Sequence, residues 1–282
     1  MRKSTLLSAT SAACCLMFFT AGAFAESAAK LTLTRLECGR EPAPVSVASF
    51  SDTFANPELK LPLVYSCYLI RHGDDYLIWD TGNPLGSEPD APKTSLVDQL
   101  AQLKLKAEQI KYVGISHYHN DHTGQAASFP QASLLIGKGD WDVLTAANPP
   151  PRMSAKEFAS KRAPFAPWIT DGGKVEPLAG DKKDVFGDGS VVMLSMPGHT
   201  PGHHALLVKL ATMGNVLLSG DVTHFHENYE SNGVPTWNFS RADSLASLDR
   251  FRQIAKNLHA TVIIQHDPRD VDKLPAFPAF AQ

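Results

Sequence analysis

The sequence has little cysteine, no strong excess of either charge, and no internal repeat or low-complexity tract. Four cysteines in 282 residues exclude a disulfide-rich scaffold. The 26 basic and 29 acidic residues give a formal charge of −3, which lacks the basic excess typical of nucleic-acid binding. With 43% apolar and 20% charged residues, the composition excludes a disordered chain and indicates a folded one.

The N-terminus carries two basic residues and then an apolar stretch, densest from Ala12 to Phe19. Ala23-Phe24-Ala25 matches the small-x-small pattern of a cleavage site, so residues 1–25 are predicted to be a secretory signal peptide. The mature protein is then periplasmic or secreted. The stretch is shorter than the roughly 20 residues of a membrane span, so no stable span is expected. Its two cysteines leave a lipoprotein as a less favoured alternative.

Removal of the signal peptide leaves residues 26–282, which we interpret as a single domain, with Cys38 and Cys67 as its cysteines. In an oxidising compartment the two could form one bridge. Two buried free thiols fit equally well, because Cys67 lies in the apolar strand pattern Val64–Ile70.

Short strand patterns alternate with helix patterns along the chain, which indicates sheets covered by helices, an α/β sandwich. A helix is predicted from Thr94 or Ser95 to about Leu103, and another from Ser240 or Asp243 to about Leu258. The predicted strands are Leu31–Leu36, Val64–Ile70, Tyr76–Trp79, Tyr112–Ile115, Ser133–Ile136, Val191–Leu194, Ala205–Val208, Val216–Leu218 and Thr261–Ile264.

The segment from Asn148 to Thr170 carries five prolines together with Phe158, Phe165 and Trp168. One interpretation is a surface loop packed by its own aromatic rings. The other is a lid over a pocket, because long loops in compact domains are often functional.

The chemistry centres on Ser116-His117-Tyr118-His119-Asn120-Asp121-His122-Thr123-Gly124, which directly follows a predicted buried strand. His119 lies two residues beyond His117, so a locally extended chain directs both side chains the same way. Asp121 and His122 then point elsewhere, toward a second metal. Imidazole and carboxylate groups together suit zinc and similar divalent ions.

Three more candidate ligands, His199, Asp221 and His266, lie at the ends of later predicted strands. Seven ligands are too many for one zinc ion but suit two that share a carboxylate. Zinc is the default, although such sites also accept iron, cobalt and manganese. The remaining histidines are interpreted as structural: His72, His203, His204, His226 and His259.

The His-x-His-x-Asp-His pattern of residues 117–122, and the order of the three later candidates, resemble the metallo-β-lactamase superfamily. Trp79-Asp80-Thr81-Gly82 resembles its early Asp-Thr-Gly turn. The resemblance extends from about Leu31 to Asp267 and is specific for the fold and the metal site. It is weaker for the substrate, because one fold hosts many reactions.

The resemblance implies an αββα sandwich with a two-metal site at its edge. A bridging hydroxide would attack a carbonyl carbon, because zinc lowers the pKa of bound water to about 7. Asp121 would also assist proton transfer to the leaving group. In this assignment the first metal is held by His117, His119 and His199, the second by Asp121, His122 and His266, and Asp221 bridges both.

Several branches of the superfamily fit less well. Asp221 stands where the common zinc β-lactamases have cysteine, and His119 stands where di-iron flavoproteins have glutamate. The chain leaves no room for the added domain of the nucleases, and too few residues follow His266 for the helical domain of glyoxalase II.

The N-acyl-homoserine lactonase family is the closer resemblance. Its enzymes open the lactone ring of quorum-sensing signals, which carry an acyl tail. The resemblance lies in Cys67-Tyr68-Leu69-Ile70-Arg71-His72, Leu77-Ile78-Trp79-Asp80-Thr81-Gly82, Pro197-Gly198-His199-Thr200-Pro201-Gly202-His203, Gly220-Asp221, Val234-Pro235-Thr236-Trp237-Asn238-Phe239 and Ile264-Gln265-His266-Asp267.

One departure concerns the position three residues after the bridging aspartate, where lactonases carry a tyrosine near the substrate carbonyl. Here it is His224, which can also donate a hydrogen bond, or which signals a different substrate. An apolar groove should hold the acyl tail, and Phe158, Phe165 and Trp168 are the candidates for it.

The sequence therefore predicts an exported hydrolase with two divalent metal ions, which opens acylated lactones. The alternatives are another hydrolase of the same fold, acting on a β-lactam, thioester or phosphodiester, and a metal-binding module without catalysis. A small-molecule substrate is expected and nucleic acid is not, while a homodimer is left open.

Overall fold

The computed structural model describes Met1 and residues 31–87, 89–151 and 153–282. The predicted signal peptide lies outside the described residues, apart from Met1. The strands are β1 (Leu31–Arg40), β2 (Val45–Ser46), β3 (Lys60–Leu61), β4 (Val64–His72), β5 (Asp75–Trp79), β6 (Tyr112–Gly114), β7 (Ser133–Gly137), β8 (Val175–Leu178), β9 (Lys182–Asp184), β10 (Val191–Ser195), β11 (His204–Leu210), β12 (Gly214–Leu218) and β13 (Thr261–Ile263). The α-helices are α1 (Leu96–Gln102), α2 (Asn120–Thr123), α3 (Lys138–Thr145), α4 (Ala155–Arg162), α5 (Ala166–Ile169), α6 (His226–Ser231) and α7 (Arg241–Asn257).

Two sheets face each other across an apolar layer. The first sheet has the strand order β1-β4-β5-β6-β7-β8 and the second has the order β13-β12-β11-β10-β9. The pairs from β5 to β8 and the pair β12–β13 are parallel, and the others are antiparallel. Buried side chains from both sheets form one cluster between them, which includes Leu33, Ile70, Trp79, Met193, Leu206 and Leu218.

Helices cover the outer face of each sheet. Alternate residues of β10 point to opposite sides: Met193 lies between the sheets, whereas Val192 packs with Leu248 and Phe251 of α7. On the other side, Leu96 and Leu100 of α1 pack against the first sheet. The layers are thus helix, sheet, sheet and helix, which confirms the predicted αββα sandwich.

The two predicted helices are present with the predicted caps. The Ser95 side chain accepts from the Asp98 amide at the start of α1, and the Ser240 side chain accepts from the Asp243 amide at the start of α7. Each cap satisfies an amide that has no partner inside its helix.

The proline-rich segment from Asn148 to Thr170 is more helical than either sequence interpretation allowed. It contains α4, a short 3-10 turn and α5. Pro164 lies at the start of the 3-10 turn and Pro167 at the start of α5. At these positions the amide hydrogen that proline lacks would have no partner inside the helix, so no hydrogen bond is lost.

Cys38 and Cys67 form a disulfide between β1 and β4, with their Cα atoms 5.9 Å apart. Of the two alternatives left open by the sequence, the structure has the bridge. Gly82 packs against it with a φ of +63°, and a Cβ there would lie 2.4 Å from the Cys38 Cβ. Only glycine therefore fits this turn without a shift of the strand beneath it.

Within the described part of the chain, none of the helices is both long and apolar enough to cross a bilayer. The carboxyl ends of β5, β6, β10, β12 and β13 lead into the loops that carry the predicted site residues. These loops meet at one edge of the sandwich.

Candidate metal centre

The histidine-rich stretch leaves β6 as an extended loop and then turns into α2. The His122 amide donates to the His119 carbonyl at 3.0 Å, and the Thr123 hydroxyl donates to the same oxygen. This one-turn helix folds His122 back toward the site. The local chain therefore separates the stretch into two sets, as its spacing predicts.

The side chains converge in two groups, each with ligand atoms that all lie within 4.8 Å of one another. The first group contains His117, His119, His199 and Asp221. The second contains Asp121, His122, Asp221 and His266. All seven candidates from the sequence are brought together, divided in the way that the resemblance implies. Their role as metal ligands stays a prediction.

Asp221 belongs to both groups because its two carboxylate oxygens face different histidines. Its Oδ2 lies 3.1 Å from His199 Nε2 and 3.6 Å from His117 Nε2. Its Oδ1 lies 2.8 Å from His266 Nε2 and 3.2 Å from His122 Nε2. One carboxylate is thus placed to bridge two cations.

The spacing of the nitrogen atoms fits divalent metal ions. His117 Nε2 and His199 Nε2 lie 3.0 and 2.9 Å from His119 Nδ1, and His122 Nε2 lies 3.2 Å from His266 Nε2. Zinc–nitrogen bonds of about 2.1 Å in a tetrahedron place neighbouring ligand atoms about 3.3 Å apart. A single proton cannot satisfy three converging ring nitrogens, whereas a cation can.

The opposite ring nitrogens are fixed by acceptors. His122 Nδ1 donates to Asp80 Oδ2 at 2.8 Å, His266 Nδ1 to the Val64 carbonyl at 2.9 Å, and His199 Nδ1 to Asn238 Oδ1 at 2.8 Å. Because these oxygens can only accept, each Nδ1 carries a proton, and in the neutral ring the Nε2 lone pair faces the site. Such acceptors orient histidine ligands in metal sites and raise their basicity.

Asp80 is the most connected of these acceptors and is completely buried. It accepts from the Ser116 amide and hydroxyl, from His122 and from the Gln265 side chain. Its φ of 56° lies in the left-handed region, which aspartate tolerates better than most residues. The sequence marked the Asp-Thr-Gly turn but gave Asp80 no role.

Two further buried groups hold the loops in place: Asp140, which sequence reasoning missed, and His203, which it interpreted as structural. Asp140 accepts from the Tyr118 amide, the Thr200 hydroxyl and the Gly202 amide, so it ties the loop after β6 to the loop after β10. His203 Nε2 accepts from the Asp221 amide at 2.8 Å.

The electrostatics of the first group favour neutral imidazole. Burial lowers the pKa of His117 well below its ordinary value, and the charge of His122 adds to this effect. Burial and the neighbouring His199 lower the pKa of His119 in the same direction. Neutral imidazole is the form that coordinates a metal.

Asp121 and His119 are the two candidates that are only partly buried, and the Asp121 side chain is 27% exposed. Burial by itself would raise its pKa, but His122 and His266 beside the carboxylate lower it overall. Asp121 is therefore ionised and reaches solvent at the mouth of the site.

His224 lies behind Asp221, with its Nε2 3.2 Å from Asp221 Oδ2 and its ring stacked on His266. The residue is 3% exposed, and burial lowers its pKa to about 4. Its Nδ1 is buried without a hydrogen-bond partner among the described residues. It does not line the cleft beside the metal groups, so its predicted contact with substrate stays a prediction.

A cleft of about 370 Å³ opens beside His119 and His199. Its other walls come from α3, from residues 150–161 and from residues 237–239. The apolar part of the lining is Val143, Pro150, Pro151, Met153, Trp237 and Phe239. Trp237 and Phe239 are also exposed to solvent, by 52% and 66%.

The predicted groove residues do not line this cleft, which corrects the prediction. Phe165 is completely buried and packs with Trp168 in the core outside the first sheet. The Trp168 indole donates to the Ala132 carbonyl at 3.0 Å. Phe158 borders a separate surface cavity beside Arg162 and Ile169. These rings anchor the helices of the segment instead of facing the site.

The comparisons with known proteins agree with this geometry. The family model described as the metallo-beta-lactamase superfamily matches residues 61–266. The chain belongs to this superfamily. Within this superfamily, the chain is 31% identical over 246 residues to the N-acyl homoserine lactonase AttM of Agrobacterium fabrum. The match covers 80% of this chain and 89% of that relative. The predicted resemblance to the lactonase family is confirmed.

Solved structures show the same metallo-beta-lactamase fold. A quorum-quenching N-acyl homoserine lactone lactonase matches with a TM-score of 0.72 and 22% identity, covering 89% of this chain and 98% of that one. AidC, a dizinc quorum-quenching lactonase, matches with a TM-score of 0.68 and 18% identity, covering 89% and 90% of the two chains. The prediction of a metal-dependent hydrolase is confirmed at the level of the family.

Proposed function

We propose that this protein is a two-metal hydrolase that opens the ring of N-acyl homoserine lactones. The observation that carries the proposal is the Asp221 carboxylate, which has one oxygen in each histidine group. The substrate class comes from the lactonase relatives, above all AttM of A. fabrum. The reaction adds one water, breaks the bond between the ester carbonyl carbon and the ring oxygen, and releases one proton.

The first divalent metal would be held by the group of His117, His119 and His199, the second by the group of Asp121, His122 and His266, and both by Asp221. Zinc is the metal that we propose, because histidine and carboxylate ligands at these spacings suit it. Such ions, when bound, supply a water-derived nucleophile at neutral pH and polarise the ester carbonyl.

The protein's own groups orient the substrate and move the proton. The cleft beside His119 and His199 admits the lactone, and its apolar wall accepts the acyl tail. The Asp121 side chain is 27% exposed at the mouth of the site, so we assign it the transfer of the proton from the attacking water to the departing ring oxygen. His224 Nε2 lies 3.2 Å from Asp221 Oδ2, and we assign it the role of keeping that carboxylate in place.

The test is turnover of the purified protein on N-hexanoyl- and N-decanoyl-homoserine lactone, with proton release followed in weak buffer. A chelator-treated sample is the control, and its activity should return when Zn²⁺ is added. Opening that is lost on chelation supports the proposal. A protein loaded with two zinc ions that opens neither lactone contradicts it, and activity on a β-lactam, a thioester or a phosphodiester would then identify the other hydrolase.

We further propose that the protein is exported and works in an oxidising compartment. The Cys38–Cys67 disulfide supports this, because such bridges persist in the periplasm and outside the cell but are rare in the cytosol. Mass spectrometry of the protein from a periplasmic or culture fraction should give a chain that begins at Glu26. An intact chain confined to the cytosol would contradict export.

A further inference from the structure

The cleft beside the histidines is lined by two charged groups that the proposed reaction does not use, the carboxylate of Glu157 and the ammonium of Lys161. Lys161 lies in the last turn of α4, and the residue is only 9% exposed. Lysine is almost never buried to this extent unless it is paired. The lining of the cleft also contains His119 and His199, so this ammonium shares the cavity with the first metal group.

The protein leaves this ammonium incompletely satisfied. The nearest carboxylate oxygen, Glu157 Oε1, is 3.8 Å from Lys161 Nζ, which is beyond hydrogen-bond distance. Nζ also lies 5.6 Å from the centroid of the Tyr118 ring, and the Asp121 carboxylate attracts it electrostatically. Among the described residues, no acceptor lies within hydrogen-bond distance of an ammonium that has three donors to satisfy.

Because this donor lines a ligand cleft and has no protein acceptor within hydrogen-bond distance, it is free to bond to an oxygen that a ligand supplies. The proposed substrate has two carbonyl oxygens. The ester carbonyl belongs at the metal groups, where the ring is opened. The amide carbonyl of the acyl group is close to the ring, because the amide nitrogen is attached directly to a ring carbon.

We propose that Lys161 Nζ donates a hydrogen bond to the amide carbonyl oxygen of the acyl group and so selects N-acyl lactones over lactones without an amide. This proposal rests on the proposed function and names a specificity-determining residue for it. The apolar wall formed by Met153, Trp237 and Phe239 would then take the tail beyond the amide.

The test compares two substrates in the zinc-loaded Lys161→Met variant, in which a side chain of similar length has no charge. One substrate is N-hexanoyl-homoserine lactone, and the other is γ-octanoic lactone, whose alkyl chain is attached directly to the ring. A lost hydrogen bond from a charged donor predicts a decrease of about 10- to 100-fold in kcat/KM for the N-acyl lactone, mainly through KM. The value for the alkyl lactone should stay within about twofold of wild type.

Two matched variants control the experiment. Lys156→Met removes the same charge from an exposed position of the same helix and should leave both substrates unaffected. Lys161→Arg keeps a cation in the cleft and should retain part of the preference. Thermal unfolding of each variant establishes that it is folded.

Equal losses on both substrates in Lys161→Met, or no loss on either, would overturn the role of Lys161. A wild-type enzyme that opens the alkyl lactone but not the N-acyl lactone would instead overturn the proposed substrate class. Calorimetric binding of the ring-opened N-hexanoyl-homoserine tests Lys161 without turnover. The proposal requires weaker binding to Lys161→Met than to wild type, and equal binding overturns it.

Discussion

Two parts of the chain build the candidate metal centre in different ways. The proximal cluster, His117, His119, Asp121 and His122, comes from one loop and one turn of helix. The distal residues, His199, Asp221 and His266, come from three loops that follow three different strands. The proximal cluster is shaped mainly by local backbone, whereas the distal residues depend on sheet pairing and on side-chain acceptors far away in the sequence.

The two parts also differ in the hydrogen-bond acceptors that hold their histidines in place. Behind the proximal cluster, Asp80 accepts four hydrogen bonds and is completely buried. Behind His199 stands the single acceptor Asn238, and behind His266 a main-chain carbonyl. The Asp221 carboxylate belongs to both metal groups and so links the two parts. This difference predicts how far a substitution in one part changes metal binding by the other.

The largest effect is expected from Asp221→Ala, which removes the shared carboxylate and so breaks both groups. Zinc content should fall from two ions to one or fewer, and kcat/KM should fall on the order of 10³-fold, because several kcal/mol of charge stabilisation are lost. Metal analysis and lactone turnover measure the two effects. Asp188→Ala, at an exposed carboxylate, is the control and should keep both values. A fully loaded and active Asp221→Ala protein would contradict the bridging role.

The second-largest effect is expected from loss of the disulfide in the strands under the proximal cluster. Replacement of Cys38 and Cys67 by serine should lower the free energy of unfolding by about 3 kcal/mol, because the bridge closes a sequence separation of 29 residues. Urea denaturation with and without reductant measures it. Zinc content of the folded variant should stay at the wild-type value, since neither cysteine belongs to a metal group. Unchanged stability would argue against the bridge.

Asp80→Asn separates the two parts more finely, because it weakens an acceptor behind the proximal cluster alone. Zinc affinity should fall by about 100-fold, toward the upper limit for residues that orient histidine ligands. Competition with a chromophoric chelator measures the affinity of each site. The expected loss is confined to the second site, which contains His122. Equal losses at both sites would show that Asp80 does not act through His122 alone.

Asn238→Ala is the matching change on the distal side. It removes the acceptor that the described residues provide for His199 Nδ1, and the expected loss is about 10-fold in affinity at the first site, the lower limit of the same range. Asn238 also donates to Ser244 at the start of α7, so the thermal unfolding of the variant must be measured together with its zinc affinity. A loss of zinc affinity larger than that caused by Asp80→Asn would show that the distal side depends more on its acceptor than the proximal side does.

The smallest effect is a pH dependence from His226, which bonds to Asp270 near the last loop. The hydrogen bond to Asp270 raises the pKa of His226 above its ordinary value. Its stabilisation is therefore complete below about pH 6.5 and is lost as the pH rises through the folded pKa. His226→Gln should lower stability by less than about 1 kcal/mol at about pH 5.5 and by almost nothing at about pH 9. A larger loss at high pH would contradict this sign.

Much of the fold follows from local sequence patterns. The strand Val64–Ile70 and the helix beginning after Ser240 were predicted within a few residues, because apolar periodicity and a capping side chain identify them. The strand Lys182–Asp184 was missed because it is polar and lies at the sheet edge. The helix Ala155–Arg162 was missed because prolines on both sides favoured a loop.

For the site, as for the fold, local sequence patterns predicted some features and missed others. The seven candidate ligands stand out by residue type and spacing, and the structure places them together. Asp80 and Asn238 were given no role, because an acceptor is identified by what the fold puts next to it. Phe165 and Trp168 were wrong for the groove, since a large ring in a loop pattern serves a core as readily as a ligand.

The order in which the loops occur along the chain has a consequence for how the protein matures. The four proximal residues are synthesised before residue 123, but His266 follows the final strand, which must pair with its parallel neighbour before the second group is complete. A chain whose last strand has not yet paired therefore contains the first group but lacks His266 of the second. The second metal site is expected to form only at the last step of folding.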